Sequence, residues 1–228
     1  MQEMGVTNMT TFYGPNQRKL QDQFDTRRLA DKVEPMVIEN EISDQHREFI
    51  NARDMFWLAS VDLDGQPTVS YKGGDPEFVR VLDSKTLAFP CYDGNGMFLS
   101  MGNLIGNSNI GMLFIDFENP YRLRIQGTAQ IDDADPLLAD YVEAQLVVRV
   151  AVSKVFRNCP RYVHRLQKVE PSNYVPREGV ETPLASFKRI EELQEVLPQR
   201  DRERVDREGG VRSYSEHRAG TAPTAKET

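Results

Sequence analysis

From Met55 to Asn158 short apolar runs rich in β-branched and aromatic residues alternate with turn residues, and that alternation restricts the chain to a hairpin-built antiparallel sheet. MFWLASV and PTVSYKG flank DLDGQ, where Asp64-Gly65 supplies the turn and Trp57 a large apolar anchor. FVRVL and TLAFP flank Asp83-Ser84-Lys85 as a second hairpin, which Pro90 is expected to end. NIGMLFIDF and YRLRIQGTAQI are separated by Glu118-Asn119-Pro120, and LVVRVAVSKVFRN reads as a long last strand. Before it, Asp135 as cap and Pro136 at the first position predict a helix over DPLLADYVEAQ. A sheet this rich in hairpins removes its edges by closing or by pairing with another copy, so a small β-barrel is expected.

Helices are predicted on both flanks. PNQRKLQDQFDTRRLADKVEPMV carries Leu20, Phe24 and Val33 among charges and is expected to stop at Pro35. Ser43 caps a short helix over SDQHREFINARD. PLASFKRIEELQEVL reads as one amphipathic helix with Leu184, Phe187, Ile190, Leu193 and Leu197, and the last 20 or so residues, poor in apolar content, are expected to be mobile.

The composition narrows the function. A formal net charge of -7 over 228 residues argues against a broad nucleic-acid or anionic-membrane surface, leaving room only for a local anion site. The N-terminal MQEMGVTNMTTFYG has no basic stretch leading into an apolar one, and the most apolar run, LVVRVAV, is broken by Arg149, so neither secretion nor a membrane span is predicted. Cys91 and Cys159 are far apart and outside any metal-ligand spacing, which predicts no disulfide framework or zinc site and a reducing, cytoplasmic setting. His46, His164 and His217 form no triad signature and no metal site.

Three stretches carry candidate chemistry. CYDGNGMFLSMGN, Cys91 to Asn103, sets Asp93-Gly94 beside Asn95-Gly96 ahead of a helix-compatible run. A dinucleotide GxGxxG fails at Leu99 and no Gly-Lys-Ser/Thr triplet exists, which leaves a general arrangement in which free amides converge on an anion, or a plain strand-to-helix connector. VSYKGG places Ser70, Tyr71 and Lys72 at a strand end before Gly73 and Gly74, open to a planar ligand or to another backbone. Arg122 and Arg124 share the polar face of their strand, as ligands or as a solvated edge. CPRYVH, Cys159 to His164, reads equally as a turn or a ligand cluster.

The succession FWLASVDLDGQPTVSYKGG, FVRVLDSKTLAFP, GNGMFLSMGNL, NIGMLFIDF, RLRIQG and NCPRYV resembles the pyridoxamine 5′-phosphate oxidase-like (PPOX-class) family of FMN-binding split-barrel proteins, over roughly residues 43 to 165. The resemblance implies a six-stranded antiparallel split β-barrel in a homodimer, with FMN at the subunit interface and a small-molecule substrate oxidised or reduced through it. It places Ser70, Tyr71, Lys72 and Gly73 along the flavin, and Asn95, Gly96, Met97 and Ser100, with Asn103 nearby, at its phosphate. Arg122 and Arg124 would approach from the partner subunit, and Arg161 is a further candidate. The domains implied are a helical extension over 1–42, the FMN-binding domain over 43–170 and a second helical extension over 171–228. The oxidases themselves carry an Arg-Lys pair in the phosphate loop, whereas no basic residue lies here between Lys85 and Arg122, so vitamin B6 oxidation is not implied. A non-enzymatic module of the same family, holding FMN, haem or a deazaflavin, is the alternative.

Overall fold

The computed structural model describes residues 12–221. The opening MQEMGVTNMTT, on which the expected lack of an export signal was placed, and the residues after 221 of the tail expected to be mobile lie outside the described residues, whereas Tyr214–Thr221 of that tail is helical. The chain divides into two compact units, one through Val169 and one from Glu170.

In the first unit, α1 (Pro15–Gln23) and α2 (Arg27–Val37) precede β1 (Ile38–Glu39) and α3 (Asp44–Asn51). There follow β2 (Met55–Val61), β3 (Pro67–Gly73), β4 (Arg80–Val81), β5 (Thr86–Tyr92), α4 (Leu99–Gly106), β6 (Asn109–Asp116), β7 (Tyr121–Asp132) and β8 (Ala144–Asn158). α1 and α2 are two helices, where one was expected. Asp25 takes a left-handed backbone between them, and Pro35 lies inside α2 instead of ending it. Ser43 caps α3 as its sequence suggests: its side chain accepts from the His46 amide, and His46 Nδ1 accepts from the Ser43 amide.

The expected six-stranded split barrel is not what forms. Among the described residues eight strands make one antiparallel sheet in the order β3-β2-β6-β7-β8-β5-β4, with β1 on β8, and the ladder does not close. β3 bonds only to β2 and β4 only to β5, so both end strands keep a free edge. The connection between them explains why. Instead of zipping β3 to β4, the amides of Gly74 and Glu77 donate to the carbonyls of Asp54 and Asn51, and Phe78 is buried. The expected FVRVL strand thereby shrinks to the two residues of β4. Closure is replaced by the length of β8, which bonds β7 on one side and both β5 and β1 on the other.

Two further expectations change for local reasons. Pro90 sits inside β5 opposite Val147, tolerated because β4 reaches only Leu87 and Ala88, so no neighbour there needs the missing N–H. After Asp135 and Pro136 the helix lasts one 3-10 turn, Pro136–Asp140. Tyr141 then extends, its buried ring under the Arg80 guanidinium at 4.7 Å and its hydroxyl 3.5 Å from the Ala88 carbonyl.

Alternation buries one sheet face. Phe56, Leu58, Met112, Phe114, Leu123 and Ile125 are at most 2% exposed, and the Phe56 ring meets those of Phe78, Phe89 and Phe114 at 5.8, 5.0 and 5.2 Å. Helix α4 packs on this face through Met101 and Leu104. At roughly 25 cal/mol per Å² of apolar surface removed from water, each such side chain stabilises by about 2 kcal/mol.

In the second unit the expected amphipathic helix is split. Ser186–Arg189 and Glu191–Val196 are 3-10 turns, followed by α5 (Gln199–Arg207) and α6 (Tyr214–Thr221). Tertiary anchors override helix propensity: Lys188 is buried 2.9 Å from Asp201, Ile190 bridges to Arg212, and Arg189 donates to the Gly210 carbonyl.

Candidate functional site

Register decides which candidate residues meet. Ser70 pairs with Leu58, Leu58 with Met112 and Met112 with Ile125, a row on the core face. Tyr71 pairs with Trp57, Trp57 with Leu113, Leu113 with Arg124 and Arg124 with Phe156, a row on the opposite face. The sheet therefore stands between Ser70, Lys72, Ser100 and Asn103 on one side and Tyr71, Arg122 and Arg124 on the other.

On the core side, β3 meets α4. The Ser70 and Ser100 hydroxyl oxygens lie 2.6 Å apart, and the Asn103 amide donates to Ser60 Oγ at 3.1 Å. The Lys72 ammonium of β3 and the Cys91 thiol of β5 are close enough to act on each other electrostatically. Burial lowers the Lys72 pKa, with Cys91 opposing, and burial raises the Cys91 pKa, with Lys72 opposing. No described residue gives the Lys72 ammonium an ion pair or hydrogen bond.

The loop that enters this site is built from fewer glycine turns than its sequence suggests. Gly96 has a positive φ, 76°, but Gly94 does not, and the second left-handed residue is Phe98 at φ 48°. Asn95 organises the turn, its Oδ1 accepting from the Met97 amide at 3.0 Å. Phe98 then starts α4 without a side-chain cap, and no acidic residue stands in the first turn, so the leading amides have neither a capping side chain nor a carboxylate beside them. Asp93 to Leu99 are all exposed.

On the opposite face, Arg122 Nη2 donates to the Cys159 carbonyl at 2.6 Å, while its buried Nε has no partner among the described residues. Arg124 reaches over the Phe156 ring at 6.0 Å. Tyr71 covers Gly73 so closely that a Cβ there would stand 2.9 Å from the ring. Trp57, Val69, Leu113, Ile115, Phe117 and Arg124 line an apolar groove of about 400 Å³ on this face. Arg161 is exposed in the segment after β8 and makes no hydrogen bond or ion pair with the other candidates.

Cys91 and Ser60 escaped sequence reasoning. A lone cysteine carries no spacing signal, whereas Ser60 had one: it is a polar residue in phase with Phe56 and Leu58 on a buried face. Among the described residues no cluster of three or more metal-ligating side chains occurs, and no helix is long and apolar enough to cross a membrane.

A search of curated proteins gives no match. Similar solved structures include HupZ of Group A Streptococcus, 22% identical over 55% of this chain and 99% of that one, TM-score 0.42. A Lactobacillus delbrueckii protein is 23% identical over 52% and 95%, TM-score 0.43. HutZ, the haem storage protein of Vibrio cholerae, is 17% identical over 50% and 93%, TM-score 0.39. The family model described as pyridoxamine 5′-phosphate oxidase matches residues 42–168, from the residue before the Ser43 cap through every strand from β2 to β8. The chain belongs to the pyridoxamine 5′-phosphate oxidase family.

Proposed function

We propose that this chain binds FMN and acts as an oxidoreductase on a small molecule. The observation that carries the reading is the 2.6 Å contact between Ser70 and Ser100, which joins the strand end VSYKGG to the exposed loop entering α4, two segments thirty positions apart. Family membership supplies the cofactor class.

The donor set fits a phosphate held mainly by neutral groups. The uncapped amides at the start of α4, the Ser70 and Ser100 hydroxyls and the turn at Asn95 and Gly96 offer N–H and O–H donors, with no carboxylate in the first helical turn to repel an anion. Asn103 holds α4 to β2 through Ser60, and Met97 takes its place from the Asn95 side chain. Lys72, half-buried and without a counter-ion among the described residues, would lie along the flavin with Gly73 at the end of the same strand, while Tyr71, on the opposite sheet face, would belong with Arg122 and Arg124. Arg122 and Arg124 cannot join that site from the same copy through the sheet, so we place them, with Arg161 of the segment after β8, against the cofactor of a second copy in a homodimer. The orphaned Nε of Arg122 is consistent with an acceptor supplied from outside the chain. FMN, when bound, supplies the hydride- or electron-accepting centre that side chains lack. Lys72 would hold positive charge beside it, and no side chain is assigned as acid or base.

FMN titration followed by flavin absorbance tests the reading. Lys72→Ala and Ser100→Ala are each expected to weaken binding about tenfold, roughly 1.4 kcal/mol. Wild-type protein that takes up no FMN, or two variants that bind it as tightly as wild type, would overturn the placement. Bleaching of the bound flavin by a reduced nicotinamide or another donor separates an enzyme from a holding module.

A further inference from the structure

Asn95-Gly96 is the one Asn-Gly pair in the sequence, and it stands in the exposed loop that enters α4. An asparagine followed by glycine is chemically labile, because no Cβ on the next residue keeps its backbone nitrogen from the side-chain carbonyl carbon. The surroundings here add no shield: a Cβ built on Gly96 would meet nothing within 4 Å. Gly96 also lies outside every helix and strand, so no ladder hydrogen bond has to break when its nitrogen reacts.

The side chain is already turned toward that nitrogen. Asn95 Oδ1 accepts from the Met97 amide at 3.0 Å, and the ring this bond closes contains both Asn95 Cγ and the Gly96 nitrogen. The same N–H stands where negative charge builds on Oδ1 as the carbonyl is attacked. Asn95 Nδ2, which must leave, is held by Met97 Sδ at 3.3 Å, a weak acceptor. Asn107 makes the same kind of turn, its Oδ1 accepting from the Asn109 amide at 3.1 Å, but it is half-buried and Ser108 follows it. The two asparagines thus differ in what the next residue allows.

We propose that Asn95 is a site of spontaneous deamidation, and that the acid formed there closes the anion cradle at the start of α4. The Gly96 nitrogen gives its proton to hydroxide and bonds to Asn95 Cγ. The bond from Cγ to Nδ2 breaks, ammonia leaves, and water opens the resulting succinimide at either carbonyl to give aspartate or isoaspartate. One water is consumed, one ammonia is released and no electrons are exchanged. No charged residue occurs between Asp93 and Asp116, so the new carboxylate is the only charge in the rest of the loop and in α4. Beside amides that have no capping side chain, it takes the donors a phosphate would use and repels the incoming anion. The isoaspartate product also lengthens the loop backbone by one methylene. The effect on FMN rests on the reading above, whereas the deamidation does not. FMN seated on the loop would hold Asn95 still and exclude hydroxide, so copies that stay empty are the ones that lose the site.

The test uses the full chain, stripped of FMN and held at mildly alkaline pH. Mass spectrometry of the peptide between Lys85 and Arg122 follows the exchange of amide for acid at each asparagine. Asn95 is expected to convert about tenfold faster than Asn107, and Gly96→Ala to remove that lead. If Gly96→Ala fails to fold, Gly96→Asn, compatible with the left-handed backbone, takes its place. Conversion at Asn95 no faster than at Asn107, or as fast in the folded Gly96 variant as in wild type, would overturn the site. Fresh wild type, aged wild type and Asn95→Asp are then titrated with FMN, the last two expected to bind about tenfold more weakly than the first. Ageing in the presence of FMN is expected to slow the conversion. Fresh wild type that takes up no FMN sinks the FMN reading and keeps the deamidation. Fresh wild type that binds FMN no more tightly than Asn95→Asp does the reverse, and overturns the closing of the cradle.

Discussion

His46 shows how a single side chain ties local structure to packing. It is 3% exposed, accepts the Ser43 amide at Nδ1 and has Nε2 3.6 Å from Glu39 of β1, with the Arg157 guanidinium of β8 also acting on it. Burial, the largest cause, lowers its pKa, Glu39 opposes and Arg157 adds to the lowering. The unfolded chain then binds a proton near pH 6.5, before the folded one does, so stability present above that pH is lost as pH falls below it, by at most about 1.4 kcal/mol per pH unit. Urea unfolding across that window should show the loss, and His46→Gln should flatten it. At Cys91 burial pushes the thiol pKa up and Lys72 pulls against it. Alkylation of Cys91 near neutral pH should therefore lag that of the exposed Cys159, and Lys72→Met should slow it further, as peptide mass spectrometry can measure.

Among the elements, β7 and β8 form the longest ladder, and their register shifts at Gln126/Gly127. A Cβ on Gly127 would run into the Ala151 carbonyl oxygen, a backbone atom that cannot step aside. Gly127→Ala should cost about 1–3 kcal/mol, read as a lowered thermal midpoint, because overpacking a central ladder moves backbone. If the variant melts like wild type, β7 bends more freely than its packing suggests. The strand pairs were legible wherever turn chemistry is local: Asp64-Gly65 sets the β2–β3 hairpin, and Ser43 sets α3. Pro90 and PLASFKRIEELQEVL were not, since a strand's tolerance of proline depends on whether a neighbour needs its N–H, and a helix yields where Lys188, Arg189 and Ile190 are each held from elsewhere in the chain.

For the molecule as a whole, the second unit rests on a buried charge pair. Lys188 and Asp201 each have side chains 6% exposed. Removing one partner leaves the other charge buried, so Asp201→Asn should cost about 3–5 kcal/mol and raise protease cleavage within residues 170–221. Unchanged cleavage would mean that Leu184, Ile190 and Val205 hold this unit without the pair. The amino-acid sequence by itself determined the order of strands, the hairpins, the capped α3 and the family resemblance, because period-2 alternation, turn dipeptides and caps act over a few residues. Only the tertiary structure decided that α4 brings Ser100 to Ser70, that Cys91 comes within electrostatic reach of Lys72, that Arg122 and Arg124 stand behind the sheet, and that β3 and β4 do not pair with each other. Those outcomes depend on contacts between residues far apart in the chain, whose free energy is settled by what packs on each face and not by any local pattern.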